Sequence, residues 1–159
     1  MRRPWNITNM PVYSLASYSG DEFNMNICTY VTAISRTPKM YAVAIEQWSV
    51  TLDLLRKENF AILQILTREQ LKLTKILGKR SAHSFNKQEY LKKHDLITIW
   101  KGKPVLKDCA AYMFLRKTDE VKTGDHFLFL FELDQYTTRS ENNILTHRST
   151  SHPGPWSQG

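Results

Sequence analysis

The sequence predicts a mainly β domain, an antiparallel barrel with short α-helices inserted among its strands. Runs rich in β-branched, aromatic and apolar residues recur at 26–34, 40–46, 60–66, 96–100, 109–115 and 126–133, separated by Pro, Gly, Asn and Ser. Helical signals are few and are not spread between successive strands, which excludes a doubly wound parallel sheet. Strands this apolar need protection at their edges, and closure into a barrel supplies it.

Residues 1–25 carry Pro4, Pro11 and Gly20 without periodicity and read as a lead-in packed on the domain, with a short strand near 12–15. The first main strand, 26–34, has two largely uncharged faces, Cys28-Tyr30-Thr32-Ile34 and Ile27-Thr29-Val31-Ala33, as in a strand covered on both sides. Pro38 marks the turn, because it fixes its own φ and cannot donate into a ladder. A second strand follows over 40–46. Ser49 is placed to cap a helix over 50–57, with Leu52, Leu54 and Leu55 on its apolar side and Arg56 and Lys57 in its last turn.

The run FAILQIL at 60–66 is a third strand. Thr67-Arg68-Glu69-Gln70 forms a capping box for a second helix, which the sequence ends at Gly78. Asn86 with Glu89 opens a short third helix. Strands at 96–100, 109–115 and 126–133 complete the domain, with Pro104 and Gly124 in the gaps. The body is therefore 26–145, and the Ser/Pro/Gly/His-rich residues 146–159 read as a flexible tail.

The 159 residues suit one domain, and 42% hydrophobic and 11% aromatic content supports a packed core. No apolar run approaches the roughly 18 residues of a membrane span, and no apolar stretch follows Arg2 and Arg3, so a cytoplasmic protein is expected. Cys28 and Cys109 then read as buried reduced thiols rather than a disulfide. The net charge of +7 gathers between Lys72 and Lys107 and would attract anions such as a phosphorylated cofactor. Nucleic acid is the less favoured partner. Base stacking needs aromatic residues interleaved with the cations, whereas Phe127, Phe129 and Phe131 alternate in a strand that reads as buried.

The chain lacks a Walker loop, GxGxxG, HExxH and paired CxxC motifs. His83, His94, His126, His147 and His152 have no metal-ligand spacing, so no metal site is expected. Three clusters remain. Thr29, Tyr30, Val31 and Thr32 lead to Ser35-Arg36-Thr37-Pro38-Lys39. Leu77-Gly78-Lys79-Arg80-Ser81-Ala82 continues to Asn86-Lys87. Thr123-Gly124-Asp125-His126 enters the last strand. The second has flexible backbone N–H groups, a hydroxyl and cations, the donors a phosphate monoester takes.

In this order and spacing, NICTYVTAIS–P–YAVAI, FAILQIL, LGKRSA–FNK and GDHFLF resemble the flavin reductase-like family of FMN-binding split barrels, over about residues 26–145. Ala82 and Asn86 depart from a subgroup with glycine and an acid at those places, and Ala82 disfavours a positive φ there. The resemblance implies a Greek-key-like split barrel, a homodimer and FMN near the subunit interface. It also implies a hydride taken from NADH or NADPH and a downstream acceptor, such as free flavin or a partner oxygenase. By position, Thr29, Tyr30, Val31 and Thr32 would border the isoalloxazine. Ser35, Arg36 and Lys39 would lie by the ribityl chain or phosphate, with Lys79, Ser81 and Lys87 as further phosphate ligands. His126 would orient flavin or nicotinamide as the catalytic-site residue. The alternative reading is a non-catalytic carrier or sensor of FMN or haem on the same fold.

Overall fold

A computed structural model describes residues 1–79 and 81–149, without the side chains of Lys79 and Ser149. In chain order its main elements are β1 (Tyr13–Ser19), β2 (Glu22–Met25), β3 (Val31–Ser35), β4 (Met40–Glu46), α1 (Val50–Lys57), β5 (Phe60–Ile65), α2 (Leu71–Lys79), α3 (Lys87–Lys93), β6 (Ile97–Trp100), β7 (Lys103–Leu106), β8 (Ala111–Lys122) and β9 (His126–Thr138). Seven strands form one sheet in the order β2-β1-β5-β8-β9-β4-β3, with every pairing antiparallel. β6 and β7 make a separate two-stranded ribbon.

The sheet curls on itself. Tyr13 at the start of β1 exchanges two backbone hydrogen bonds of 2.9 Å with Cys28, just ahead of β3 at the far end of the strand order. Alternation along each strand then sorts the side chains. Leu15, Val43, Ile45, Leu63, Leu115, Phe129 and Phe131 turn inward and meet Leu52 and Leu55 of α1. Ala16, Tyr18, Ile62 and Tyr112 turn outward, under Leu73 and Leu77 of α2, Leu91 of α3 and Val105 and Leu106 of β7. The result is a mainly β split barrel with one outer layer of helices and ribbon.

Local chemistry sets several boundaries where the sequence places them. Ser49 Oγ accepts from the Leu52 N–H at 3.1 Å and starts α1 at Val50. Gln70 Oε1 accepts from the Thr67 N–H at 2.9 Å, closing the capping box. Asn86 Oδ1 accepts from the Glu89 N–H at 2.9 Å and caps α3. Cys28 and Cys109 are free and buried, and burial pushes both thiols up to about 12. No helix among the described residues is long and apolar enough to cross a membrane.

Other expectations need correction. The strand expected at 26–34 starts only at Val31, and Thr32, Ala33 and Ile34 are exposed, because β3 is the open edge of the sheet. Most of the lead-in belongs to the sheet: β1 lies between β2 and β5, and the turn between β1 and β2 uses Gly20 at φ 56°. Gly78 lies inside α2 rather than beyond its end. Pro104, taken as a gap residue, sits in β7, a two-stranded ribbon where a missing N–H is tolerated. β8 and β9 run to 12 and 13 residues, because each stabilises the other past the point where the apolar pattern fades. Residues 147–149 form a short turn rather than a loose tail, while 150–159 lie outside the described residues.

Candidate functional site

One end of the barrel collects the polar chemistry. The tight turn between β8 and β9 is fixed by Thr123, whose N–H and Oγ1 both donate to the His126 carbonyl, at 3.0 and 2.7 Å. His126 Nδ1 lies 2.6 Å from Asp125 Oδ1. That hydrogen bond, and then the attraction of the ring, holds the Asp125 carboxyl below its ordinary range. An ionised carboxylate only accepts, so Nδ1 carries the proton and Nε2 is left to meet a ligand. The Tyr30 ring stands 5.3 Å from the imidazole, tilted by 51°, and is half exposed. Tyr30 is anchored through its carbonyl, which accepts from the Ala44 N–H at 3.0 Å.

The same end continues into a cleft of about 1160 Å³, lined by the β1–β2 turn, Val50, residues 82–86 and α3. That volume suits a large organic ligand. Two bonds join the cleft to the His126 turn. Gln47 donates its N–H to the Asp125 carbonyl at 3.0 Å, and His83 Nε2 donates to the Trp48 carbonyl at 2.8 Å. Trp48 has a left-handed φ of 69° and leaves its indole 82% exposed. At the back wall, Asn24 Nδ2 donates to the buried Thr51 Oγ1 at 3.0 Å. Lys92 and Lys93 supply exposed positive charge, with Asp21, Glu22 and Glu89 on the same rim.

Lys87 lines the cleft yet is only 6% exposed, and its ammonium donates to the Leu77 carbonyl at 2.7 Å, near the C-terminal end of α2. Burial lowers its pKa to about 8. Ser81 is spent locally: its Oγ accepts from the His83 N–H, and its carbonyl from Ser84 and Phe85. Lys79 ends α2, but its side chain and all of Arg80 lie outside the described residues. Ala82 keeps a negative φ, so the loop forms without the glycine geometry.

The structure thus brings Tyr30 and His126 together, and Ser81 and Lys87 beside one cleft. Thr29 is buried, Val31 packs toward the barrel interior and Thr32 is exposed on the β3 edge. Ser35, Arg36 and Lys39 do not join them. β4 pairs Glu46 with His126 but Met40 with Glu132, so the 35–39 turn lies about 20 Å away along the strand. Lys39 there rests its ammonium 5.6 Å from the Tyr41 ring centre. Asn24, Gln47, Trp48, Thr51 and His83 were not singled out by the sequence. Their partners are distant in the chain, and no local periodicity marks them.

Comparison with known proteins agrees with this architecture. The model of the flavin reductase like domain matches residues 5–154. An uncharacterized protein of Pyrococcus abyssi is 30% identical over 133 residues, spanning 83% of this chain and 76% of that protein. The flavin reductase component of a bacterial two-component tryptophan halogenase superposes with a TM-score of 0.79 at 13% identity, over 91% of this chain and 89% of that one. The FMN-binding protein of Thermus thermophilus, solved with p-hydroxybenzaldehyde, gives 0.78 at 18% identity, over 89% and 78%. At such identities these two crystal structures establish the fold, and the family match extends along nearly the whole chain. This chain belongs to the flavin reductase-like domain family.

Proposed function

We propose that this chain is an FMN-binding oxidoreductase, an NAD(P)H-dependent flavin reductase working as a cytoplasmic homodimer. The observation that carries this reading is the pairing of an exposed Tyr30 ring with a carboxylate-oriented His126, joined through Gln47 and Trp48 to a cleft with exposed lysines on its rim. The residues fit the group: Tyr30 and Trp48 offer exposed aromatic surface for a planar ring, and Lys92 and Lys93 offer positive charge for a phosphate.

FMN, when bound, supplies the hydride acceptor. The chain supplies position and field. The backbone at Thr29–Thr32 and the Tyr30 ring would border the planar system. His126 holds ring or nicotinamide through Nε2, with Asp125 fixing its tautomer, and acts as an orienting group rather than an obligatory base. The phosphate side would be the cleft wall after Ser81 with Lys92 and Lys93 on its rim, since the Ser81 hydroxyl and the Lys87 ammonium already have partners within the chain. A second copy seated on the exposed β3 edge would cover Thr32, Ala33 and Ile34. It would also give the 35–39 turn a role at the partner subunit's cofactor, since that turn is remote within its own chain. The acceptor downstream is free flavin or a partner oxygenase, a reading supported by the halogenase component to which the fold is similar.

The test is the visible spectrum of the protein purified with FMN, before and after anaerobic NADH or NADPH. A protein-bound flavin band that bleaches on adding the nucleotide is the expected result. A bound flavin that resists both nucleotides would leave a carrier or sensor, and no retained flavin would sink the reading.

A further inference from the structure

We propose that the part of the outer layer built by α2 and the β6–β7 ribbon is a docking face for a protein with an acidic surface. The charge distribution is the first argument. Ten of the 22 basic residues but only two of the 15 acidic ones lie from Lys72 to Lys107, so this stretch carries +8 and all the rest of the chain −1. The fold turns that stretch into one layer, since α2, α3 and β7 bury their leucines and valine against the same sheet face and leave the polar sides outward.

Little of the charge is spent inside the layer. Lys87 is buried, and Lys107 pairs with Asp95 at 2.7 Å. Lys72, Lys75, Lys92, Lys93, Lys101 and Lys103 are at least partly exposed, and none lies within ion-pair distance of a carboxylate among the described residues. Asp21, Glu22 and Glu89 share the cleft rim with Lys92 and Lys93, so the unopposed field belongs to α2 and the ribbon. Charges this close add within a Debye length and steer an anionic surface toward the layer.

The kind of anion follows from the rest of the surface. A nucleic acid would want free ring faces, yet the rings here use one another. Tyr18 stacks on Phe60 at 5.4 Å, Phe60 on Phe114 at 5.1 Å and Trp100 on Tyr112 at 5.6 Å. Lys103 covers Tyr18 and Phe60 from 5.7 and 5.1 Å. Every described cation of the layer is Lys, a point charge without the fork that reads phosphate bidentately. A lone Ile99, 65% exposed on β6, gives the layer a small apolar centre with a charged rim, the anatomy of a transient protein interface. Lys72, Lys75, Lys101 and Lys103 lie outside the cleft, so docking here leaves the flavin site open and does not depend on the flavin reading.

The full chain should be titrated against dye-labelled poly-L-glutamate at low salt, followed by fluorescence anisotropy. The variant Lys72→Gln/Lys75→Gln/Lys101→Gln/Lys103→Gln is expected to bind about tenfold more weakly. The control Arg2→Gln/Arg3→Gln/Lys57→Gln/Lys122→Gln removes the same charge elsewhere, and should change binding less than about twofold. Equal losses in the two variants would mean that net charge alone is sensed and would overturn the assignment. Tighter binding of labelled duplex DNA, or of phosphatidylserine vesicles, than of poly-L-glutamate would overturn the choice of a protein partner.

Discussion

Lys87 gives the sharpest test of the structure, because its environment sets a sign and a window for stability against pH. The folded chain holds this amine at a pKa of about 8, against 10.5 for the ordinary side chain. Between those values the unfolded state binds more protons than the folded one, so this group makes stability rise with pH. Two thiols oppose it from about pH 9, and the phenols of Tyr13, Tyr18 and Tyr112, raised by burial above 10.0, join them at higher pH. The thiols of Cys28 and Cys109 are pushed from 9.0 up to about 12, so above pH 9 the unfolded state has lost protons that the folded state keeps. Their contribution is full below that point and falls as pH rises.

Each unit of difference amounts to about 1.4 kcal/mol. The wild type should therefore show a shallow maximum of about 0.5 kcal/mol near pH 8.5 to 9, then decline. In Lys87→Met, a substitution of similar volume, only the decline should remain. The Leu77 carbonyl loses its donor there, an offset of about 1–3 kcal/mol that does not vary with pH. The quantity to measure is the difference between the two proteins, in which the cysteines cancel. Urea unfolding at a series of pH values should show it moving toward the wild type by about 1.3 kcal/mol from pH 7 to 9, and by about 2.5 kcal/mol at pH 10. Parallel curves for the two proteins across that range would refute the buried, desolvated amine.

Three further outcomes are expected. Asp125→Asn and His126→Gln should each slow anaerobic flavin reduction about tenfold, because the first frees the ring orientation and the second removes the ring; stopped-flow absorbance reads both. Gln64→Leu should cost about 1–3 kcal/mol, because Gln64 Oε1 accepts from the buried Leu106 N–H at 2.7 Å and its amide donates to Ser14 Oγ at 3.2 Å; calorimetry should show a drop of about 5 °C in Tm. Ile34→Lys, on the exposed β3 edge, should convert the proposed homodimer into a monomer in light scattering without changing far-UV circular dichroism.

The sequence was most readable where structure is local. Ser49, Thr67 with Gln70, and Asn86 each announced a helix because the capping bond spans only three residues. The bounds of β4 could be read directly, since both flanking turns carry their own signals. What stayed hidden depends on contacts between distant segments. β2 has four residues and no alternation, and exists because β1 folds back on it and α3 covers it. The open edge at Thr32–Ile34 looked like a covered strand because uncharged residues do not say which strand will be last in a sheet. At the site, His126 could be found from its turn, but the His83–Trp48 bond joins residues 35 apart and had no signature.

The two outermost strands of the main sheet are finished differently. At β2, the Gln88 side chain accepts from the Phe23 N–H at 3.0 Å, and α3 closes over the strand. At β3, Thr32, Ala33 and Ile34 stand open. A molecule with adhesive strands at both margins could add copies without limit, as fibrils do. Among the described residues the main sheet has one open margin, so a partner arriving there would leave it no second growth point. Association through that margin would stop at two, and crowding or high expression should enrich pairs rather than seed polymers.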